Sequence, residues 1–303
     1  MPTLRRLEYL VAISQHRNFH KAAHAAGVSQ PTLSQQIRLL EAELGVTLVD
    51  RGLGGSELTP VGRDIVERAR RVMREVEDLK RTSRLSQTGG DVGILRFGTS
   101  PTIGPYLLPE VVAALHAAKP NLRIQIREGI PDDQVGMLAD GAIDILLAPM
   151  PLPYGSMHVQ SLFQEPLRLV ASKDHPLARR RKLERGDFAG HGMLTMDARH
   201  HLSRQVGEIC AALEMTIVRD YEGTSLDGVY QMAASGLALA VLPEIYLRSN
   251  AGAVGGVTVL KFQTDRMRRR IAALWRKEAP FHDTCMLVAE RIRTRGLEIL
   301  SSV

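Results

Sequence analysis

Cysteine is nearly absent from this sequence, since Cys210 and Cys285 are the only two among 303 residues. A secreted disulfide scaffold and a thiolate metal cluster both need several cysteines at short spacings, so both classes are excluded. Long apolar runs are missing too, because no stretch reaches the roughly 18 apolar residues that would cross a bilayer. The first residues lack the small-residue cleavage site of a secretory signal. We therefore expect a cytoplasmic protein with no membrane partner.

The chain has instead an ordinary globular composition with an excess of positive charge. Hydrophobic residues make up 44% of it, and its length suits two or three compact units. The formal net charge is +6. Residues 1–88 hold 14 Lys and Arg against 10 Asp and Glu, so +4 of that charge lies in under a third of the chain. A basic N-terminal part predicts a polyanionic partner such as nucleic acid.

Two halves with different patterns follow one another along the sequence. From Leu4 to Arg84 the apolar spacing is helical almost throughout, and the pattern stops at a small, polar, glycine-containing linker that begins at Ser86. Beyond the linker, short β-like apolar runs alternate with helical segments, which predicts an α/β sheet, parallel in large part. The sequence therefore predicts a multidomain α+β protein with an α-helical first half.

The segment from Phe19 to Glu41 has the layout of a helix-turn-helix. Four alanines between positions 22 and 26 allow one helix to pack closely on the next, and Gly27 suits the tight turn between them. Ser29 offers an N-cap hydroxyl for the second helix. Pro31 fits the first helical turn, where its missing amide hydrogen would have no partner anyway.

The second helix of this motif has two distinct faces. Its apolar residues recur at spacings of 4, 3 and 4 and form a stripe for burial, namely Leu33, Ile37, Leu40 and Leu44. Side chains on the other side can match base edges or phosphates in a major groove. Such a face is also what any solvated surface helix shows, but the turn, the cap and the local positive charge favour DNA. The predicted DNA-binding residues are Ser29, Gln30, Pro31, Thr32, Ser34, Gln35 and Arg38.

A wing and a dimerising helix are predicted next. Two short apolar pieces flank a glycine-rich tip at residues 52–56, and Arg51 is placed to reach a phosphate or the minor groove. Thr59 and Pro60 then cap and begin a new helix. Its apolar residues follow the spacing of a coiled-coil seam and predict a homodimer that pairs two DNA readers, the alternative being a helix packed on its own wing. The seam residues are Ile65, Ala69, Val72, Val76 and Leu79.

These motifs resemble the LysR-type transcriptional regulators over essentially the whole chain. The resemblance implies a winged helix-turn-helix at residues 1–59, a linker helix at 60–88 and an effector domain at 89–303. It also implies that the effector domain resembles periplasmic binding proteins, with subdomain I at about 92–163 plus 269–303 and subdomain II at about 164–268. Further implications are a homotetramer, promoter DNA, RNA polymerase as a partner and no cofactor. The matching residues are Phe19, Ala22, Ala23, the run from Val28 to Glu41, Leu44, Gly45, Leu48, Arg51 and the run from Leu58 to Gly62.

The effector half looks most like the peroxide-sensing OxyR subgroup. That pattern has a peroxide-attacking cysteine in a His-Cys-Leu context, followed nine residues later by a resolving cysteine. In this sequence the corresponding residues are His200, His201 and Leu202, and Cys210 lies nine residues after His201. A sulfenic acid requires a thiolate, which histidine cannot supply, so the disulfide switch is not expected in this chain.

A small effector, a carboxylate or oxyanion, is expected in the cleft between the two subdomains instead. Two strand-to-helix junctions bring free helix amides and hydroxyl groups together, and positive charge is expected on the opposite wall. Hydroxyls in such places also serve simply as helix caps. The predicted effector-binding residues are Thr99, Ser100, Thr102, His201, Arg204, Thr224 and Ser225.

Other functions are weighed against this expectation. A redox-responsive regulator that uses Cys210 or oxidation of a methionine such as Met232 is the main alternative, although a cysteine on an apolar helix is more often an inert core thiol. His20 and His24 have helical spacing for a metal but no further ligand, so no metal site is expected. A solute-binding protein or an enzyme would use the α/β half alone. The chain has no nucleophile elbow, P-loop or dinucleotide fingerprint, so catalysis is not expected.

Overall fold

The computed structural model describes residues 1–52, 55–87, 93–250 and 255–301, without the side chains of 51–55 and 84–87. The chain divides into two compact units, Met1–Gln87 and Thr88–Val303. In the described ranges, no helix is both long enough and apolar enough to cross a membrane.

The first unit is a helical domain with a two-stranded wing. Ser29 caps α3 by accepting a hydrogen bond from the Thr32 amide at 3.3 Å, as predicted. Gly27 and Gly45 adopt φ of +66° and +70° in the turns before and after α3, where glycine is the residue of least strain. The elements are α1 (Leu4–His16), α2 (Phe19–Ala25), α3 (Gln30–Leu44), β1 (Val49–Gly52), β2 (Gly55–Leu58) and α4 (Pro60–Gln87).

The helix α4 packs partly on its own domain. Val66 and Ala69 are each 2% exposed in the core of the first unit. Ala69 therefore faces the domain that carries it, and its assignment to a dimer seam is wrong because the stripe from Val66 to Met73 turns toward this core. Val72 and Leu79 are 44% and 70% exposed, which leaves part of the predicted seam open to solvent.

The second unit alternates strands and helices, as predicted. Val92, where subdomain I was predicted to begin, lies outside the described residues. The elements are β3 (Gly93–Thr99), α5 (Gly104–Ala118), β4 (Leu122–Glu128), α6 (Pro131–Ala139), β5 (Ile145–Met150), β6 (Met157–Ser172), β7 (Gly192–Met196), α7 (His201–Leu213), β8 (Thr216–Gly223), α8 (Leu226–Ala234), β9 (Leu239–Pro243), α9 (Glu244–Ser249), β10 (Val257–Val259), β11 (Arg268–Arg276) and α10 (His282–Ser301).

The strands of this unit run in the order β4-β3-β5-β11-β6-β9-β7-β8, with β10 beside β6. The outer pairs are parallel, but β6 and β11 are antiparallel to each other and to their other neighbours, so the sheet is mixed rather than mostly parallel. We call the β3, β4 and β5 side, with α5, α6 and α10, lobe I. The β7 to β10 side, with α7 to α9, is lobe II. The long strands β6 and β11 join the lobes. We call the region between α6 and α7, which the Arg204–Asp132 pair bridges, the cleft.

Candidate functional sites

The predicted reading face of α3 is exposed. The stripe residues Leu33, Ile37 and Leu40 have no exposed surface, which fixes the rotation of the helix. The opposite face then points to solvent, with Ser34 half-buried and the others exposed, namely Ser29, Gln30, Pro31, Thr32, Gln35 and Arg38. Arg51 lies in β1, but its side chain is outside the described ones.

The residue Glu41 was not predicted to have a structural role. Its Oε1 accepts hydrogen bonds from the backbone amides of Leu48 and Val49, at 2.8 and 3.2 Å. Glu41 therefore ties the end of α3 to the first strand of the wing. No local pattern in the sequence indicated this contact, which joins residues seven positions apart.

The hydroxyl groups predicted to bind an effector at the end of β3 are buried and already bonded. Thr99, Ser100 and Thr102 are at most 3% exposed. Ser100 Oγ and Thr102 Oγ1 lie 3.0 Å apart in a hydrogen bond, and Thr102 Oγ1 also accepts one from Arg269 Nη1 at 2.8 Å. The Ser100 amide donates to the Leu147 carbonyl. These residues organise the loop before α5 and offer little to an incoming anion.

A buried ion pair holds this loop to the middle of the sheet, and sequence reasoning missed it. Arg269 Nε donates to Glu165 Oε2 at 2.8 Å, and neither side chain has exposed surface. Glu165 Oε1 accepts from the Ile245 amide at the start of α9, while Arg269 Nη2 donates to the Thr102 carbonyl. The pair therefore links the loop of lobe I to α9 of lobe II. Arg269 is one of four arginines between positions 266 and 270, and sequence spacing does not show which of them points inward.

Two histidines at the start of α7 are buried, and each has one ring nitrogen without a hydrogen-bond partner. His200 and His201 are 6% and 5% exposed, and Nδ1 of each has no partner among the described residues. Burial lowers the pKa of His201 to about 4, with the nearby charges of Arg204 and Arg269 acting in the same direction. His201 is therefore neutral at physiological pH, contrary to the expectation that it adds positive charge.

The other predicted cation of the cleft wall is neutralised by a carboxylate. Arg204 Nη1 on α7 lies 2.8 Å from Asp132 Oδ2 at the start of α6, which bridges the two lobes. Arg269 is paired with Glu165 in the same region. Because each arginine has its own carboxylate, the cleft around His201 is close to electrically balanced, which does not favour a carboxylate or oxyanion there.

The second predicted junction, before α8, lies mainly at the surface. Thr224 and Ser225 are exposed, and Ser225 Oγ accepts from the Gly228 amide at 3.1 Å as the N-cap of α8. Two residues after Ser225, Asp227 accepts hydrogen bonds from the hydroxyls of Tyr106 and Tyr246, at 3.3 and 3.1 Å. Tyr106 belongs to lobe I, so this contact also bridges the lobes. For Ser225 the capping explanation accounts for the hydroxyl.

Both cysteines are buried thiols. Cys210 is 3% exposed in the core of lobe II, and burial raises its pKa to about 11. Cys285 is fully buried on α10. Position 201 and Cys210 lie on one continuous helix, where nine residues span about 13.5 Å. A disulfide requires Cα atoms within about 7 Å, so this pair of positions is not arranged for one.

Two family models match the chain in succession. Residues 4–63 match the bacterial regulatory helix-turn-helix protein, lysR family. Residues 88–295 match the LysR substrate binding domain. The first range contains α1 to the start of α4, and the second contains both lobes except the last residues of α10.

Curated relatives are similar to this chain over nearly its full length. The hydrogen peroxide-inducible genes activator of Pectobacterium carotovorum is 35% identical over 291 residues, covering 96% of this chain and 95% of the relative. The DNA-binding transcriptional dual regulator OxyR of Escherichia coli is 35% identical over 293 residues, covering 96% and 95%.

Among solved structures, this chain is similar to a full-length OxyR of Pseudomonas aeruginosa with a cysteine-to-aspartate substitution. The TM-score is 0.73 at 30% identity, with 98% and 96% of the chains covered. A Corynebacterium glutamicum OxyR with a cysteine-to-serine substitution, bound to hydrogen peroxide, gives a TM-score of 0.63 at 27% identity, covering 99% and 94%. These findings confirm the predicted resemblance and fold class. The chain belongs to the LysR family of DNA-binding transcriptional regulators, and it is a regulator rather than an enzyme.

Proposed function

We propose that this chain is an oxidant-responsive regulator that reads double-stranded promoter DNA with the exposed face of α3. The observation that carries the DNA-reading part is the arrangement of α3, whose polar side chains face solvent because Leu33, Ile37 and Leu40 are fully buried. Gln35 and Arg38 lie on this face, and amide and guanidinium groups suit adenine and guanine edges in the major groove.

The apolar residues that remain exposed on α4 support a dimer with two DNA-reading helices. Val72 and Leu79 lie seven residues apart on one face and are largely exposed, which suits contact with the same helix of a second copy. We expect a homodimer that binds two half-sites, assembled further into a homotetramer. We also place the regulator in the cytoplasm, with RNA polymerase as a partner at the promoter.

The nature of the signal follows from the relatives and from the charges in the cleft. The Pectobacterium carotovorum relative is a hydrogen peroxide-inducible genes activator, and one similar OxyR structure is bound to hydrogen peroxide, which supports the redox alternative over a carboxylate or oxyanion effector. The paired state of Arg204 and the neutral state of His201 weigh against an anion as well. Within the redox alternative, Cys210 is a weak nucleophile because a pKa of about 11 leaves few thiolates at neutral pH. The half-buried Met232 is the second sulfur candidate.

The DNA-reading part is tested by binding to an operator selected by the protein from random-sequence DNA. Arg38→Ala and Gln35→Ala should each weaken the preference for that operator over unrelated DNA by about 1–3 kcal/mol. Arg179→Ala removes one exposed arginine from the second unit and is the matched control. Equal loss of specific and unrelated binding would reduce the role of Gln35 and Arg38 to phosphate contact.

The oxidant response is tested on the same operator complex. Hydrogen peroxide should change operator affinity in the unmodified protein, whereas acetate and sulfate should not. Loss of the change in Cys210→Ser or in Met232→Leu identifies the sulfur involved. A response to acetate or sulfate without any response to peroxide would overturn the oxidant assignment and leave the DNA-reading assignment standing.

A further inference from the structure

The turn between α3 and β1 is held together by a single residue, Glu41. Its backbone carbonyl accepts hydrogen bonds from the amides of Gly45 and Val46, at 2.8 and 3.2 Å. Its side-chain Oε1 accepts two more, from the amides of Leu48 and Val49, at 2.8 and 3.2 Å. Four of the five backbone amides in residues 45–49 are therefore bonded to the reading helix α3, so this turn moves with that helix.

The first turn of α4 is bonded to the same short segment. The Thr59 hydroxyl donates to the Thr47 carbonyl at 2.8 Å, and the Thr59 amide donates to the Leu48 carbonyl at 3.0 Å. The hydroxyl also accepts from the Gly62 amide at 2.9 Å, which makes Thr59 the N-cap of α4. Gly62 allows the two backbones to approach this closely, because a Cβ at this position would overlap the Leu48 carbonyl oxygen.

Leu48 therefore joins the reading helix to the dimerising helix through its own backbone. Its amide donates to Glu41 of α3, and its carbonyl accepts from Thr59 of α4. Its side chain has no exposed surface and packs in the core of the first unit, and a close-packed core resists small shifts. The path from α3 to α4 thus consists of hydrogen bonds and one buried residue, which holds the two helices at a fixed angle.

A fixed angle has a consequence for DNA because two reading helices must meet two half-sites at once. In the proposed dimer, the α4 helices contact each other and each α3 is held by its own α4. One base pair added between the half-sites moves the second half-site by about 3.4 Å and turns it by about 35° around the DNA axis. Rigidly held reading helices cannot follow such a displacement, whereas loosely held ones can.

We propose that Glu41 and Thr59 are positioning residues that fix the reading helix relative to the dimerising helix and so determine which half-site spacing the regulator accepts. This inference rests on the dimer of the proposed function and names the source of its spacing specificity. Both side chains act through the backbone of residues 47–49 rather than on DNA. Loss of either should therefore widen the range of accepted spacings without changing the preferred bases.

Operators that differ only in spacing test the proposal on the full chain. The half-sites come from the operator that the unmodified protein selects from random-sequence DNA, and one or two base pairs are added or removed between them. The unmodified protein should lose affinity by about tenfold for a change of one base pair. In Glu41→Leu and in Thr59→Val, which each remove the acceptor or the hydroxyl, this loss should shrink to about threefold.

Conservative variants separate positioning from general stability. Glu41→Gln keeps a side-chain oxygen that accepts amides, and Thr59→Ser keeps the hydroxyl, so both should retain the spacing profile of the unmodified protein. Glu43→Leu removes a carboxylate of the same helix that pairs with Arg6 of α1 instead, and it should also retain the profile. Circular dichroism and urea unfolding identify the folded variants. Thr59→Val decides the test if Glu41→Leu does not fold.

Three results would overturn the proposal. The first is an unchanged spacing profile in folded Glu41→Leu or Thr59→Val. The second is an equally flat profile in Glu41→Gln and Glu41→Leu, which would assign the effect to charge rather than to the amide bonds. The third is equal affinity of the unmodified dimer for all spacings. Sedimentation equilibrium separates these results from failure of the proposed function, because a monomer would overturn the dimer and this inference together, whereas a dimer that gives one of the three results remains a DNA-reading dimer.

Discussion

The N-termini of α3 and α7 differ in where they direct their polar side chains. At α3, Ser29 caps the helix and the polar residues that follow are exposed. At α7, the N-cap residue His200 makes no capping hydrogen bond, and His200 and His201 are buried with unpaired nitrogens. A large polyanion can reach only the first kind of helix start, and a small molecule suits the second. The chain thus presents one helix outward to DNA and another inward to a cleft.

The arginines of the two regions also differ, since that of α3 is exposed and those of the cleft are paired with carboxylates. Arg38 on α3 is exposed and has no hydrogen-bond partner among the described residues, so its charge is available to phosphates or bases. In the cleft, Arg204 and Arg269 are each held by a carboxylate. DNA binding should therefore weaken steeply as salt rises, because phosphate contacts release counterions, while ligand binding in the cleft should be almost independent of salt.

The largest expected effect comes from His201→Cys, which would give α7 the reactive thiol it lacks. Burial raises the pKa of a thiol at this position, whereas the helix N-terminus and the nearby Arg204 and Arg269 lower it; for Cys210, burial alone raises the pKa to about 11. At pH 7 the introduced thiol should therefore react with iodoacetamide on the order of a hundredfold faster than Cys210 does. Mass spectrometry of peptides over time measures both rates.

The same variant separates reactivity from disulfide formation. Because nine residues of intact helix separate the two sulfurs by about 13.5 Å, peroxide should produce a sulfenic acid at position 201 without a rapid bond to Cys210. His201→Ser is the control without sulfur. Quantitative disulfide formation within the time of sulfenic acid formation would show that α7 unwinds readily.

The next effect is on stability and concerns the buried pair that joins the lobes. Glu165→Gln should lower the free energy of unfolding of the effector domain by about 3–5 kcal/mol, because Arg269 would be left as an uncompensated buried charge. Urea unfolding monitored by Trp275, which is buried in this unit, measures the loss. Arg293→Gln breaks an exposed pair with Glu290 and should leave the midpoint unchanged. A double change, Glu165→Leu with Arg269→Met, should recover much of the stability.

A pH effect distinguishes buried His201 from the exposed histidines of the DNA-binding domain. The unfolded imidazole titrates near pH 6.5, whereas burial lowers the pKa of His201 to about 4 in the folded chain. Between these values the unfolded chain binds a proton that the folded chain excludes, so stability falls as pH is lowered through this window. From pH 7 to pH 5 the loss due to His201 should be about 2 kcal/mol.

Urea titrations at both pH values measure this loss in the unmodified protein and in two variants. Burial also lowers the pKa of His158, His175 and His200, so these residues contribute to the total loss of stability. The difference between the loss in the unmodified protein and the smaller loss in His201→Phe is therefore the contribution of His201. His20→Gln, at an exposed position on α2, should behave like the unmodified protein. Equal losses in all three proteins would mean that His201 is solvated.

Sequence patterns predicted the DNA-binding domain much better than the cleft. In α3, local signals agree with the tertiary structure, because the cap at Ser29, the turn at Gly27 and the stripe through Leu33 all act within a few residues. For the second half the sequence predicted an alternation of strands and helices, but not the length of the strand β6, Met157–Ser172, that joins the lobes. The pairs of the cleft join residues distant in sequence, 104 positions apart for Arg269 and Glu165. No local pattern can show that one arginine in a run of charges is buried.

The smallest expected effect compares two serine caps, one in each region. Ser29→Ala and Ser225→Ala should each lower the free energy of unfolding of their own unit by about 1 kcal/mol, because each hydroxyl accepts a backbone amide at a helix start. Only Ser29→Ala should also weaken operator binding, since its hydroxyl lies on the reading face. Only a change in the response of the operator complex to peroxide would return Ser225 to the effector site. Urea unfolding and operator titration with and without peroxide, on both variants, therefore test whether the cap of α8 does anything beyond capping.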